Sequence, residues 1–371
     1  MLTVLLCVAY GLVLATSSAD DHFLSGASRN AAISLPVGVM AAAVLALWAR
    51  TLMPEGVIAI IFGLGGILQA SDQGGTFGYL WKYSYSVPVT LVVLGAACLY
   101  GKVMVQISAL AMLGAVTMLA DARSLFAMYI VAAGMLLWSA FTQGRRSASS
   151  TRVAMVLALL FAVYKVTDIL VTHGVLGEQA QQRSLNEASV SGSTLLGGRP
   201  ELSATVALMR EHPAGFGVGI LPNTRDVAIG NTALERLGFQ PMQDGFSQYM
   251  FGRQQYELHS IFGDLWVNFG VVGLIAAALL TGLVLTVLSL KWTNGPSSAL
   301  ILFLAASTGW NIISSPLWSA EPALIIFIGL ALPWASGHPV TLQRGRANNL
   351  SGWNARWPSA LNSHRGLRLG R

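Results

Sequence analysis

Ten runs of 15 to 27 predominantly apolar residues dominate the sequence, at 2–16, 31–49, 56–70, 86–100, 103–120, 124–141, 153–171, 264–290, 298–314 and 320–334. A bilayer core of about 30 Å requires roughly 20 apolar residues in a helix, with about 17 to 25 as the working range. The runs therefore predict an all-α, polytopic transmembrane helix bundle of about ten spans, up to twelve, with one large external loop containing short amphipathic helices. Runs 56–70 and 86–100 are short enough to be re-entrant or tilted. Composition points the same way: 54% of the 371 residues are apolar and 10% charged, against about 25% charged in soluble domains. That excludes an ordinary cytosolic enzyme, a disordered chain and a nucleic-acid binder; the medium is a lipid bilayer.

The formal charge of +6 is distributed by loop, not pooled on one face. With the C-terminal tail inside, the cytoplasmic side receives Arg50, Lys102, Arg145, Arg146, Arg152, Lys291 and arginines 344, 346, 356, 365, 368 and 371, twelve in all, and the short external loops receive three, Arg29, Lys82 and Arg123. Lys and Arg in short loops resist translocation, so this asymmetry fixes the orientation. Four regions follow: N-terminal transmembrane helices over 1–171, a large external loop over 172–258, C-terminal transmembrane helices over 259–334, and a basic cytoplasmic tail over 335–371 without apolar period. Segment 2–16 has a rival reading as a signal-peptide core ending at Ser17-Ser18-Ala19, but it has no basic leader and is read as a retained helix. Cys7 and Cys98 lie inside apolar runs, where a thiol behaves as a small hydrophobe, so neither a disulfide framework nor a cysteine metal site is expected. No internal repeat is evident, which disfavours a transporter of inverted halves.

The 87-residue stretch 172–258 breaks the apolar pattern with six Arg, eight Asp or Glu and no Lys. Connections of that length without a role are uncommon, so recognition or chemistry is expected there. Charge gathers at its end of the bundle. Arg123 occupies the tight turn Asp121-Ala122-Arg123-Ser124, either snorkelling to lipid phosphates or binding an anionic substrate. Arg199 opens Gly197-Gly198-Arg199-Pro200-Glu201, followed by Leu202, Val206 and Met209 and then Pro213, Gly215, Gly217 and Gly219. This pattern predicts a short amphipathic helix on the membrane surface, ended by a Gly-rich turn. Arg199 then sits beside N-terminal N–H donors that suit an anion, although an N-terminal Arg is disfavoured by the helix dipole. His259 precedes the span that begins near Asp264, either as a structural imidazole or as a proton acceptor near neutral pH. Lys165 and Asp168, at i and i+3 on the seventh span, share one helix face as an ion pair or as the lining of an external cavity.

The segment from His259 through Asn268-Phe269-Gly270-Val271-Val272-Gly273 resembles the His-Asn-x-x-Leu…Glu-x-Gly-x-x-Gly signature of the O-antigen ligase and polymerase superfamily. Gly198-Arg199…Pro213-Ala214-Gly215-Phe216-Gly217 resembles that family's Gly-Arg…Pro-x-x-Gly-x-Gly element, and Asp121-Ala122-Arg123-Ser124 its Ser-Arg turn. The three elements stand in the family's order over roughly residues 100 to 330. Ser260 replaces the signature Asn, Gly263 its Leu and Asn268 its Glu, Ser203 stands where an aromatic is common, and the family often carries about two more spans.

The resemblance implies a bacterial inner-membrane glycosyltransferase that moves a glycan from an undecaprenyl diphosphate carrier to an acceptor hydroxyl at the outer face, inverting and without metal or other cofactor. It implies Arg123 and Arg199 as diphosphate ligands and His259 as general base or as an orienting group. Lys165 is a third cation beside Asp168. The partners are then the lipid-linked donor, a glycan or lipid-linked acceptor and the bilayer. A lipid-linked glycan transporter and a catalytically degenerate scaffold are the alternatives; polar residues gathered at one boundary, not at mid-membrane depth, disfavour the transporter.

Overall fold

The computed structural model describes residues 1–71, 74–141, 158, 199–252, 255–291 and 298–332. The helices are α1 (Leu2–Ser18), α2 (Gly26–Ala49), α3 (Glu55–Ala70), α4 (Phe77–Tyr100, with a π-turn at Trp81–Tyr85), α5 (Val103–Leu119), α6 (Arg123–Phe141), α7 (Glu201–Glu211), α8 (Thr224–Glu235), α9 (Phe246–Phe251), α10 (Ile261–Thr286), α11 (Ala299–Ser314) and α12 (Leu317–Ala331). The described residues are thus all-helical apart from one β-bridge, Leu24 to Ile220. Nine of the ten expected spans coincide with apolar helices, and four of these, Gly26–Ala49, Phe77–Tyr100, Arg123–Phe141 and Ile261–Ser289, are long and apolar enough to cross a membrane. The other five have 15 to 17 residues, or about 22 to 26 Å at 1.5 Å per residue, which is shorter than the hydrocarbon core. The span expected over 153–171, with Lys165 and Asp168, lies outside the described residues, as does the tail after 332.

Serine caps start three of the helices. The hydroxyls of Ser25, Ser260 and Ser298 accept from the N–H groups of Ser28, Gly263 and Ile301, satisfying one orphan donor each. Helix α12 begins at Pro316, which offers no side-chain cap. Its Leu317 N–H instead donates to Asp264 Oδ2 at 2.7 Å, so a residue of α10 caps α12. At the other end of α12 the Arg50 guanidinium donates to the carbonyls of Gly329 (3.3 Å) and Leu332 (2.8 Å) and pairs with Glu55 at 3.1 Å, the placement that helix C-terminal carbonyls favour.

Helix α11 is the centre of the bundle. Residues Ala299 to Ala305 are all buried, and α4, α5, α6, α10 and α12 pack around them. Helices α3 and α4 approach at Gly56 and Gly95, where a Cβ on either would stand 2.6 and 2.7 Å from the other's carbonyl oxygen. Small residues permit such backbone contact in membrane bundles, where dispersion replaces the hydrophobic effect as the associating force. Gly95→Leu is therefore expected to lower the thermal midpoint in detergent by the equivalent of at least about 1–3 kcal/mol, an overpacking cost. Gly65→Leu, at a position with nothing within 4 Å, is the matched control and should leave it unchanged.

Candidate functional site

The helix expected after Arg199 forms as α7, and His212 ends it before the Gly-rich turn. Its buried face is Glu201, Ala204, Thr205 and Leu208, whereas Val206, from the expected apolar rhythm, is 42% exposed. The expected cradle of N-terminal donors is also partly consumed: Leu202 and Ser203 N–H groups donate to the carbonyls of Arg199 and Pro200. The side chain of Arg199 is placed against α11. Its guanidinium lies over the Trp310 ring of α11, with Cζ 5.7 Å from the centroid, within cation–π range.

The Gly-rich turn docks against a break in α10. Gly270 has φ +54° and ψ −137°, which interrupts the helical ladder. The Val267 carbonyl accepts from Phe216 and Gly217 N–H groups, each at 3.0 Å, and the Pro213 carbonyl accepts from the Trp266 indole at 3.3 Å. Val218 N–H donates to Gly11 of α1 at 3.1 Å, and a Cβ at Gly217 would collide with the Ala15 backbone. Helix α1 is thus one wall of the seat for this turn. The two Gly-containing motifs, 50 residues apart in sequence, are two halves of one contact.

That contact sets the entry to α10, and with it His259. His259 has φ +50°, a value shared among the described non-glycine residues only by Asp121. Asp and His are among the residues that tolerate this region, and such outliers concentrate at functional sites. The His259 ring meets the Tyr249 ring edge-on at 4.4 Å, and its buried Nδ1 finds no hydrogen-bond partner among the described residues. Burial and, second, the charge of Arg199 push its pKa down to about 4. The imidazole is consequently neutral near pH 7 and lies within the field of Arg199.

Arg123 begins α6, its Nε 3.6 Å from Asp121 Oδ1. Its level in the bundle follows from two contacts. Gln106 of α5 accepts from Ala299 N–H at 2.6 Å, and Tyr129 stacks on Phe303 at 4.9 Å, so α6 and α11 run antiparallel. Six residues back from Tyr129 and six forward from Phe303, about 9 Å each way, bring Arg123 level with Gly309, beside Trp310. Arg199 thus acts electrostatically on His259, and the helical rise puts Arg123 near the level of Trp310, on which Arg199 stacks. Lys165 and Asp168 are outside the described residues.

Several residues here carry no sequence signal. Trp310 and Tyr249 look like ordinary interfacial aromatics. A buried junction around Asp226 is equally silent: its Oδ2 accepts from the Tyr256 hydroxyl at 2.7 Å and the Asn223 N–H at 3.0 Å and lies 2.9 Å from His22 Nε2, while Asn223 completes a capping box on α8. Burial and the Asp226 charge raise the Tyr256 pKa, so the phenol stays a neutral donor. This junction ties the α1–α2 connection to α8 and to the strand of chain that ends at His259. Only the capping box, an Asn followed by an acid three residues later, could be found by pattern.

Among the described residues no group of three or more His, Cys, Asp or Glu is arranged to hold a metal ion. Residues 107–278, which contain Arg123, Arg199, His259, Gly270 and Gly273, match the family described as O-antigen ligase, in agreement with the motif order. No curated protein and no solved structure matches the chain.

Proposed function

We propose that this O-antigen-ligase-like chain is a glycosyltransferase of the bacterial cytoplasmic membrane, taking a glycan from an undecaprenyl diphosphate carrier and joining it to an acceptor hydroxyl at the outer face. The observation that carries the reading is His259, held at positive φ beside Arg199, inside the region that matches the family. The orientation rests on the loop charges: the 172–258 segment outside, the tail inside. The acceptor oxygen attacks the anomeric carbon as the bond from that carbon to the diphosphate oxygen breaks, with inversion, and undecaprenyl diphosphate leaves. Arg199 and Arg123 hold the diphosphate, whose oxygens match the planar fork of a guanidinium, and offset the charge that develops on the leaving group. Lys165 and Asp168 are the further substrate-binding residues in this reading. The arginines supply the charge compensation, so transfer is metal-independent.

His259 takes the acceptor proton. In the free protein it is a weak base, because Arg199 disfavours a second positive charge nearby. A bound diphosphate offsets Arg199 and raises the His259 pKa, so base strength arrives with the donor. A specific pH profile follows. Because kcat/KM reports the free enzyme and kcat the loaded one, the acid limb of kcat should lie at a higher pH than the His259 limb of kcat/KM, which stays near the free value of about 4. Transfer in proteoliposomes containing a lipid-linked donor and candidate acceptors tests both points. Metal-independent product with the displaced limbs supports the reading; a folded protein that binds donor and yields no product overturns it. Product length separates ligase from polymerase.

A further inference from the structure

A cleft of about 390 Å³ lies beside the charged site, between α2, the Gly-rich turn, residues 255–257, the first turns of α10 and the start of α12. That volume falls within the roughly 300–1,000 Å³ of small-molecule sites. Its polar groups are acidic or neutral: Glu257, itself buried, Asp264 and Gln255, whose amide donates to Glu257 Oε1 at 2.7 Å. Among the described residues no Lys, Arg or His lines it. Asp264 is fixed by its bond to Leu317 N–H. Trp318, 53% exposed, stands at the rim, and Ala32 and Leu35 of α2 form an apolar wall.

We infer that this cleft is the acceptor subsite, receiving a neutral, hydroxyl-bearing sugar ring of a lipid-anchored acceptor. The Glu257 carboxylate accepts hydrogen bonds, and the Gln255 and Asn268 amides, which also line the cleft, can donate them, a mixture that suits hydroxyls. The Glu257 charge disfavours a diphosphate here, whereas Arg199, which does not line the cleft, attracts one. The aromatic rim offers an apolar plane to the C–H face of a sugar ring, and α2 offers an aliphatic path for the anchor. The two substrates are thereby sorted by charge onto opposite sides of one short segment. Glu257 is two residues before His259, so their Cα atoms are at most about 7 Å apart, and a hydroxyl held at Glu257 is delivered toward the imidazole. Asn268 lies on this same wall, one helical turn after Asp264, and its Nδ2 donates to the Asp264 carbonyl at 2.9 Å.

This assignment rests on the glycan-transfer reading, and the test separates the two. The full chain in nanodiscs is irradiated with a diazirine-bearing dodecyl β-D-glucoside or the matching alkyl phosphate, and labelled peptides are mapped by mass spectrometry. The glucoside should label residues 255–257 and 316–318, with at least tenfold loss in Trp318→Ala and in the cleft-filling Ala32→Trp, and the phosphate should not label them. In the transfer assay the same two variants should raise the acceptor KM at least tenfold and leave the donor KM unchanged. Labelling by the phosphate at these peptides, glucoside labelling that ignores both variants, or a raised donor KM overturns the inference. Parent protein that is labelled as expected but forms no product overturns the transfer reading instead and leaves a sugar-binding cleft.

Discussion

Transfer by the His259→Asn protein is expected to fall by about 10² to 10⁴, the usual contribution of a positioned proton acceptor, while its thermal midpoint stays near the parent's. Asn is the informative replacement, because it tolerates positive φ and cannot take the proton. Ala at φ +50° would add backbone strain and confuse the two effects. Arg199→Ala is expected to cost about 10² to 10³, the loss typical of one donor aimed at developing charge. Arg199→Lys should recover only part of this, since an ammonium keeps the charge and loses both the planar fork and the stack on Trp310. The two residues interact, because Arg199 contributes to the depressed pKa of His259. Arg199→Ala should therefore move the His259 limb of the kcat/KM profile upward in pH, though not to the ordinary value, since burial remains. A loss in His259→Asn below tenfold, confined to donor KM, would reduce His259 to an orienting group. A full loss in kcat would establish it as the base.

What could be read before the structure was the material that depends on period and on loop charge. The apolar runs place nine described helices, and the segment after Arg199 predicts α7 within a residue or two. The face that α7 buries was not readable. Leu202, Val206 and Met209 form the more apolar stripe, but α7 buries Ala204, which faces Gly230 of α8, and Thr205, which faces Gly263 of α10. Arg123 and His259 were legible as polar residues at span ends. Their relation to Arg199 was not, since it depends on the Arg199 to Trp310 stack, 111 residues apart, and on the Tyr129 to Phe303 stack between α6 and α11, 174 apart. The His22 to Asp226 contact spans 204 residues and leaves no local trace. The glycines were the most informative single letters. Gly215, Gly217 and Gly219 read as a turn and Gly270 and Gly273 as part of a motif within a span, and the structure makes the two complementary surfaces.

That complementarity predicts the largest folding effect. Gly270 occupies φ +54°, ψ −137°, a conformation that residues with a Cβ avoid, and a Cβ there would collide with the Ala214 carbonyl and stand 2.7 Å from Leu14 Cδ1. Strain of this kind costs about 1–3 kcal/mol, and displacement of backbone that cannot give adds to it. Against a total stability of about 5–15 kcal/mol, Gly270→Ala should sharply reduce the monodisperse fraction in detergent and lower the thermal midpoint more than any surface change. Gly215→Ala should behave alike, for its Cβ would meet the Trp266 carbonyl and stand 2.9 Å from the Gly270 Cα. Because both changes wedge open one contact, the double variant should be less destabilised than the two single losses added together. Gly282→Ala, in the same helix with nothing within 4 Å, should be neutral or stabilising, by up to about 1 kcal/mol from helix propensity. A parental midpoint for Gly270→Ala would mean that the break in α10 is not what seats the turn. Strict additivity of the two variants would mean that the turn and the break are held independently. Either result would remove the physical reason for placing His259 within the field of Arg199.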